Sequence, residues 1–306
     1  MLRALFISLS ESKALRSFAE RSKAGQRVSQ RFIAGMTLDE VVSATKTLNA
    51  AGMRVTMDRL GESVLNAEQA RDAAGTYMQL LDAIEREKLD ANVSVKLTGI
   101  GFDVDKALTQ KLVEDMTARA ASIGSFVRVD MEGSPYTQQT LDLVNAVYAK
   151  PESKGAVGIV IQSYLYRSEN DVQDLCAKGI RIRLCKGAYK EPASIAFQAK
   201  SDVDANYVKL MKIMLKSGVF HGIATHHEAM IDATIRFARE EKIDPSAFEF
   251  QMLYGIRRDL QEKLVKEGWG VRVYVPFGRE WYPYFMRRLA ERPANVLFIA
   301  KNFFRR

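Results

Sequence analysis

The sequence predicts an α/β protein built as a (β/α)8 TIM-type barrel with helices ahead of its first strand. Short apolar segments rich in β-branched residues alternate eight times with amphipathic segments along most of the chain. This alternation indicates a parallel sheet with right-handed crossovers, and eight units in about 250 residues match such a barrel. An open doubly wound sheet is the alternative, but the G-x-G-x-x-G turn typical of it does not follow the first strand segment, MRVTMDRLGESV.

The eight predicted strands share the apolar composition of strands buried in a parallel sheet. In chain order they are MRVTMD (53–58), NVSVKLTGI (92–100), FVRVDMEG (126–133), VGIVIQSY (157–164), IRIRLCKGA (180–188), HGIATHH (221–227), FEFQMLYG (248–255) and VRVYVPFG (271–278). Between them, segments such as NAEQARDAAGTYMQLLDAIERE and SDVDANYVKLMKIMLKSG are helical in pattern and open with good N-capping residues. We expect one catalytic barrel domain at 46–306 and a helical segment at 1–45 packed on it.

The composition is that of an ordinary soluble globular protein, with 47% hydrophobic and 27% charged residues. The net charge of +8 suits an anionic small molecule, an anionic lipid surface or nucleic acid, and does not choose among them. The only cysteines are Cys176 and Cys185, which fits a reducing compartment. No apolar run approaches the roughly 18 residues of a membrane span, and the basic N-terminal stretch is typical of an amphipathic helix rather than a signal peptide. We therefore expect a cytoplasmic protein.

Polar residues recur near the C-terminal ends of the predicted strands, where such barrels carry their chemistry. Burying an unpaired charge is costly, so charged side chains at matching positions on most strands indicate a shared site rather than accident. Several are cationic, which suits an anionic substrate or cofactor. The set comprises Lys96, Asp130, Gln162, Arg183, Lys186, Thr225, His226, Gln251 and Tyr274.

The segment WYPYFMRRLAE (281–291) places four side chains on one helix face. Tyr284, Arg287, Arg288 and Glu291 stand at i, i+3, i+4 and i+7. Paired guanidiniums present rigid forks that match a carboxylate. A simpler interpretation is a solvated helix end whose arginines pair with Glu291 or favour the negative end of the helix dipole, and the segment alone does not decide.

Two further motifs bear on ligands. In RLCKGAYKE, Gly187 and Ala188 are small enough for the backbone to approach a flat ligand or a phosphate closely. In ATHHEA, the adjacent histidines of a strand point to opposite faces, so we predict no metal site. Thr225 and His226, just before a helix, fit a phosphate site at its N-terminus better.

Together these motifs resemble the proline dehydrogenase family, flavoenzymes found alone in some bacteria and fused to an aldehyde dehydrogenase in proline utilization A. The resemblance runs from about residue 94 to residue 291 and rests on SVKLTGIG, RVDMEG, GIVIQSY, RLCKGAY, ATHH, FEFQMLYG, YVPFG and YPYFMRRLAE, in the family's order and near its spacing. It implies the barrel fold and non-covalently bound FAD. It also implies oxidation of L-proline to Δ1-pyrroline-5-carboxylate, the first step of proline catabolism to glutamate, by hydride transfer from proline C5 to flavin N5.

The resemblance assigns a substrate site. Arg287 and Arg288, helped by Lys96, are expected to hold the proline carboxylate, with Glu62 closing over Arg288. Asp130 is expected to organise the site, and either Asp130 or solvent takes the amine proton. The slot around the proline ring is expected to be lined by Tyr274, Tyr284, Leu253, Ala188 and Tyr189.

The resemblance also assigns a cofactor site. Arg183 is expected beside flavin N5, where a positive group favours reduced flavin, which makes Arg183 and Asp130 the expected catalytic residues. Gln162 is expected at the pyrimidine edge. The other implied FAD contacts are Met131, Lys186, Gly187, Ala188, Thr225, His226, Gln251 and Glu291. Two positions depart from the family: Lys190 replaces a common tryptophan, and His227 replaces a common asparagine.

The implied partners are L-proline, a membrane quinone as electron acceptor, the inner face of the membrane, and a pyrroline-5-carboxylate dehydrogenase that consumes the product. Two functions from other classes stay open. One is a barrel aldolase with a Schiff-base lysine at Lys96 or Lys186. The other is a nucleic-acid-binding protein, although no basic stripe is interleaved with the aromatic residues and we expect no nucleic acid.

The carboxylate clamp predicts the behaviour of two variants. Arg287→Ala and Arg288→Ala should each weaken L-proline binding strongly while the purified protein stays yellow, because the resemblance implies that each guanidinium contacts the substrate and not FAD. Proline titrations that follow flavin reduction measure the affinity. Near-normal proline affinity in both variants would contradict the clamp.

Overall fold

Eight parallel strands form a closed barrel in the computed structural model, which describes residues 31–61, 64–282, 284 and 286. Each strand pairs with its neighbours in chain order, and β1 pairs with β8 to close the barrel. The strands are β1 (Arg54–Arg59), β2 (Ala91–Val95), β3 (Val127–Val129), β4 (Val157–Gln162), β5 (Arg181–Cys185), β6 (His221–Ala224), β7 (Phe248–Leu253) and β8 (Val271–Phe277). The predicted (β/α)8 barrel is confirmed.

In the described part of the chain, the helix Leu38–Ala50 and helical backbone at residues 31–32 precede β1, and one α-helix follows each strand from β1 to β7. The helices are α1 (Leu38–Ala50), α2 (Ala67–Arg86), α3 (Lys106–Ser122), α4 (Ser134–Tyr148), α5 (Ser168–Ala177), α6 (Lys200–Lys216), α7 (Glu228–Glu240) and α8 (Arg258–Lys266). After β8, helical backbone recurs at Trp281, Tyr282, Tyr284 and Met286. The two helical segments quoted from the sequence correspond to α2 and α6.

The domain boundary expected at residue 45 falls inside α1. That helix begins at a capping box, in which the Thr37 hydroxyl accepts from the Glu40 N–H and the Glu40 carboxylate accepts from the Thr37 N–H. Residues 1–30 lie outside the described residues. The division into 1–45 and 46–306 therefore stays a prediction.

Every strand except β1 is shorter than the apolar segment that predicts it, and β2, β5 and β6 are clear examples. β2 ends at Val95, β5 at Cys185 and β6 at Ala224, although the segments run on to 100, 188 and 227. The residues beyond each end leave the sheet and turn at the mouth of the barrel. Sequence composition cannot separate a strand from the apolar loop that continues it.

The two faces of the strands differ in polarity because successive side chains point to opposite sides. Outward-facing residues such as Val55, Val93, Ile159 and Phe250 are fully buried beneath the helices and form one apolar core. The barrel interior instead holds buried polar and charged side chains, including Thr56, Asp58, Ser94, Arg128, Arg183, Glu249, Gln251 and Arg272. The interior is a hydrogen-bonded polar network, whereas most such barrels fill it with branched apolar residues.

Among the described residues, no helix is both long enough and apolar enough to cross a membrane.

A buried histidine lies at the opposite end of the barrel from the strand C-termini. His221 begins β6, and its Nδ1 accepts from the Ile182 N–H at 3.0 Å, so the ring proton is on Nε2 and faces the Ser217 Oγ at 3.0 Å. Burial, with the charges of Arg128 and Arg181, lowers the pKa of His221 to about 3. The folded protein therefore holds this imidazole neutral.

His221 predicts a loss of stability in acid. Its ordinary pKa is 6.5, so below that pH the unfolded chain binds a proton that the folded chain refuses until about pH 3. The free energy of unfolding should fall by about 2 kcal/mol between pH 7 and pH 5 on account of His221 alone. Urea unfolding at both pH values should show this loss in the wild type. In His221→Gln the loss of unfolding free energy should be smaller by about 2 kcal/mol.

The control is His227→Gln, because the His227 side chain is 48% exposed. The loss of stability between pH 7 and pH 5 should be reduced more by His221→Gln than by His227→Gln. An equal loss in all three proteins would contradict the role given to His221.

Candidate active site

Asp130, one residue beyond β3, joins four strands at the C-terminal mouth of the barrel. Its Oδ1 accepts from the Ser94 hydroxyl at 2.6 Å and from Arg183 Nη1 at 2.8 Å. Its Oδ2 accepts from the Tyr274 hydroxyl at 2.8 Å and lies 3.6 Å from Lys96 Nζ. The carboxylate thus fixes groups from β2, β5 and β8 and the loop after β2 relative to one another.

The surroundings of Asp130 keep it ionised. Burial raises the pKa of its carboxyl, but the charges of Arg183 and Lys96 and the hydrogen bonds from Ser94 and Tyr274 together lower that pKa below its ordinary value. Burial and the Asp130 and Asp58 charges raise the pKa of Tyr274 well above its ordinary value, so its phenol stays protonated and donates. Asp130 is therefore a fixed acceptor with its lone pairs occupied, and a poor proton acceptor.

Lys96 lies between two carboxylates. Its Nζ is 3.2 Å from Asp58 Oδ2 and also donates to the Tyr274 hydroxyl at 3.4 Å. Asp58, on β1, is only 1% exposed, and its Oδ1 accepts from the Tyr77 hydroxyl at 3.5 Å. Burial raises the pKa of Asp58 and the Asp130 charge adds to this, while the Lys96 charge opposes it. The ammonium of Lys96 offsets the repulsion between the two carboxylates.

Two buried polar atoms at the mouth have no hydrogen-bond partner in the described structure, Arg183 Nη2 and Gln162 Oε1. The rest of each side chain is held. Arg183 Nε donates to Gln251 Oε1 at 2.5 Å and its guanidinium lies 5.1 Å above the Tyr274 ring, while Gln162 Nε2 donates to the Glu132 carbonyl at 3.4 Å. An unpaired buried polar group is costly, so the donor and the acceptor are suited to a ligand that offers both.

The turn after β5 is shaped for close approach of the backbone. Gly187 has a φ of +109°, and a Cβ there would stand 2.4 Å from the Tyr164 ring, so no other residue fits without movement. Beside it, Lys186 is paired with Asp204, and Lys186 Nζ lies 2.9 Å from His227 Nδ1. His227, one of the two positions that depart from the family, therefore lies beside Lys186.

The two adjacent histidines after β6 have separate partners. His226 Nε2 accepts from the Leu253 N–H at 2.9 Å, which ties the loop after β6 to β7. Thr225 donates its N–H to the Gln251 carbonyl at 3.1 Å and accepts from the His227 N–H at 3.0 Å. Thr225 and His226 thus form a fixed rim at the N-terminus of α7.

The structure brings Lys96, Asp130, Arg183, Gln251 and Tyr274 into one hydrogen-bonded network. Tyr284 is buried beside Trp281, Tyr282 and Leu60. Of the remaining expected site residues, Met131 is buried, Leu253 is partly exposed, Ala188 is exposed and Tyr189 is 44% exposed. Four lie outside the described residues: Glu62, Arg287, Arg288 and Glu291.

Three residues that hydrogen-bond directly to the five side chains of this network were not predicted: Asp58, Ser94 and Glu249. Each carries a sequence signal. Asp58 is the last residue of the predicted first strand, while Ser94 and Glu249 stand two residues before Lys96 and Gln251 and so share their faces. Ser94 and Glu249 are included if the next residue on the same strand face is also considered, and Asp58 is included if the end of the first strand is considered like the ends of the others.

The comparisons with known proteins agree on one family. A family model described as proline dehydrogenase matches residues 41–301. Proline dehydrogenase 2 of Bacillus subtilis is 41% identical over 98% of this chain and 97% of its own length. The proline dehydrogenase of Deinococcus radiodurans is 38% identical over 94% of this chain and 96% of its own.

A solved structure gives the same result. The crystal structure of proline utilization A from Bdellovibrio bacteriovorus, inactivated by N-propargylglycine, superposes with a TM-score of 0.83 at 27% identity. The match covers 92% of this chain and 34% of that chain, so this chain spans about a third of its length.

The central position of Asp130 predicts the effect of its neutralisation. Asp130→Asn keeps the side-chain shape but leaves the buried Arg183 charge without its carboxylate, which should lower the free energy of unfolding by about 3 kcal/mol. Chemical denaturation followed by circular dichroism measures the change. Asp115→Asn is the matched control, because Asp115 is 51% exposed and pairs with Lys111 on the surface, and it should be nearly neutral. Equal changes in the two variants would contradict the analysis.

Proposed function

The chain belongs to the proline dehydrogenase family, and we propose that it oxidises L-proline to Δ1-pyrroline-5-carboxylate with FAD as its cofactor. One observation carries the proposal. Asp130 holds Lys96, Arg183 and Tyr274 together at the barrel mouth, next to a buried donor and a buried acceptor that lack protein partners in the described part of the chain.

Lys96 is the described residue best suited to the proline carboxylate. Its side chain is 21% exposed, and its Nζ lies 3.2 Å from Asp58 Oδ2 and 3.4 Å from the Tyr274 hydroxyl, which together hold the ammonium at the mouth of the barrel. We propose that Arg287 and Arg288 complete the clamp and that Glu62 closes over Arg288. The ring would lie against Tyr274, with the rest of the slot lined by Tyr284, Leu253, Ala188 and Tyr189.

The residues present fit a flavin. Arg183 Nη2 is a buried donor and Gln162 Oε1 a buried acceptor, and a flavin ring carries both acceptor atoms and an N–H along its polar edge. When bound, FAD would supply the two-electron acceptor that the side chains of the protein lack. Arg183 would hold positive charge where negative charge develops. We assign the rest of the cofactor to Met131, Lys186, Gly187, Ala188, Thr225, His226, Gln251 and Glu291.

The proton of the substrate amine must leave before the C5–H bond is broken, because the nitrogen lone pair drives that step. Asp130 is a poor acceptor, since Ser94, Arg183 and Tyr274 occupy its oxygens and its pKa is lowered by the charges around it. We therefore assign this proton to solvent at the mouth of the barrel, and give Asp130 the role of holding the cationic groups in place.

The proposal extends to partners. We propose a membrane quinone as the electron acceptor, reached by contact with the inner face of the membrane, to which the net charge of +8 would be attracted. The likeness to proline utilization A supports a pyrroline-5-carboxylate dehydrogenase as the consumer of the product. Two segments are candidates for this contact, the basic N-terminal stretch and the C-terminal NVLFIAKNFFRR, although packing within the protein is the favoured expectation for each; both lie outside the described residues.

The geometry does not favour the lysine aldolase. Lys96 is ion-paired with Asp58 at 3.2 Å, and Lys186 is paired with Asp204. Such pairs stabilise the ammonium, whereas a Schiff-base lysine must react as a neutral amine.

The proposal predicts a spectroscopic change. The purified protein should show the two visible absorption bands of oxidised flavin, and anaerobic L-proline should bleach them. L-valine, an apolar amino acid without the ring, should not. A colourless protein that cannot be reconstituted with FAD would contradict the proposed cofactor and activity, and bands that L-proline leaves unchanged would contradict the proposed substrate.

A further inference from the structure

A buried chain of hydrogen bonds runs through the barrel interior to Arg183. Arg272 Nε donates to Glu249 Oε1 at 2.5 Å, and Gln251 Nε2 donates to the same oxygen at 2.7 Å. Gln251 Oε1 then accepts from Arg183 Nε at 2.5 Å. Every member is buried, and Glu249 is only 2% exposed.

The donors and acceptors of these hydrogen bonds can be arranged in one way only, because an ionised carboxylate can only accept. Glu249 requires the NH2 group of Gln251 on its side, which leaves the amide oxygen of Gln251 to face Arg183. A flipped amide would set its NH2 against the Arg183 N–H and its oxygen against the carboxylate. Glu249 therefore determines that Arg183 Nε meets an acceptor.

Glu249 is held in the ionised state. Burial raises the pKa of its carboxyl, but the Arg272 charge, the hydrogen bonds from Arg272 and Gln251 and the Arg54 charge together lower it below its ordinary value. Arg54 Nη1 lies 3.3 Å from Glu249 Oε2, so each carboxylate oxygen has a guanidinium partner. The donor and acceptor roles in this series of hydrogen bonds are therefore fixed at neutral pH.

The neighbouring strand restricts Gln251 from the other side. A Cβ at Gly222, on β6, would stand 2.3 Å from Gln251 Nε2 and 2.6 Å from its Cδ. The Gln251 amide therefore packs on the backbone of β6, in space that any other residue at 222 would fill.

We infer that Glu249 is a positioning residue for proline oxidation. Acting through Gln251, it fixes the rotation of the Arg183 guanidinium, so that Nε and Nη1 are bound to Gln251 and Asp130 and Nη2 is left for the cofactor. The inference rests on the proposed function and deepens it. It assigns a role in catalysis to a residue that touches neither substrate nor cofactor.

The test is Glu249→Gln, which keeps the side-chain shape and removes the charge that orients Gln251. The variant is prepared with bound FAD, and two quantities are compared with the wild type: the midpoint potential of the flavin and its rate of reduction at saturating L-proline. The potential should become more negative and reduction should slow by about tenfold or more, because Arg183 no longer stabilises reduced flavin fully. The proline concentration for half-maximal rate should change little, since the carboxylate clamp is intact.

A second variant separates positioning from general stability. Gln251→Met removes the hydrogen bonds that connect Glu249 to Arg183, and in that background Glu249→Gln should have little further effect on potential or rate. A Glu249→Gln protein that is less stable but has wild-type potential and reduction rate would overturn the inference. Fully additive effects of Glu249→Gln and Gln251→Met on the flavin potential and the reduction rate would also overturn it. If Glu249→Gln does not fold, an unchanged potential and reduction rate in Gln251→Met overturn the inference.

The two levels of proposal fail in different ways. Suppose that the wild-type protein binds FAD and is bleached by L-proline, but Glu249→Gln has an unchanged flavin potential and reduction rate. This result contradicts only the role of Glu249. A wild-type protein without flavin contradicts the proposed function, and the inference with it.

Discussion

The pairing of Asp130 with Arg183 is the interaction on which the site depends. A carboxylate beside a guanidinium buried in the barrel offsets the cost of removing that charge from water, which is several kcal/mol or more. Once Asp130 meets that need, its remaining lone pairs fix Ser94 and Tyr274, and its charge attracts Lys96. The positions of four other functional groups therefore follow from the presence of one carboxylate.

The same requirement is met twice more inside the barrel. Asp58 pairs with Lys96, and Glu249 pairs with Arg272 and Arg54. The apolar core between strands and helices carries the hydrophobic stabilisation, which leaves the interior of the barrel available for charge. Scaffold and chemistry are thus separated by the alternation of side chains along each strand. Arg128 is an exception to this pairing. Burial and the nearby Arg183 charge lower the pKa of Arg128, and its Nε has no hydrogen-bond partner among the described residues.

Much of this could be predicted from the sequence, because the alternation of strands and helices and the position of strand ends are local properties. All eight strands were found, and the strand-end rule selected Asp130, Arg183, Lys96, Gln251 and Tyr274. The pairing of side chains between strands is not a local property of the sequence. That Asp58 stands opposite Ser94 depends on the register between β1 and β2, and that Arg272 reaches Glu249 depends on the register between β7 and β8. Polar residues within apolar strands are visible in the sequence, but their partners appear only once the barrel closes.

The closure of the barrel by β1 and β8 has a consequence for biosynthesis. Arg272 Nη1 donates to the Val55 carbonyl across 217 positions of sequence, and Tyr274 reaches a network that begins at Asp58. A nascent chain emerging from the ribosome has no Tyr274 and no closing strand until nearly all of it has been translated. Until then the edge of β1 and the charged interior face stay open to water, and such non-local contacts are slow to form. The binding site is therefore among the last parts of the molecule to assemble, and a chain that ends before β8 has no site.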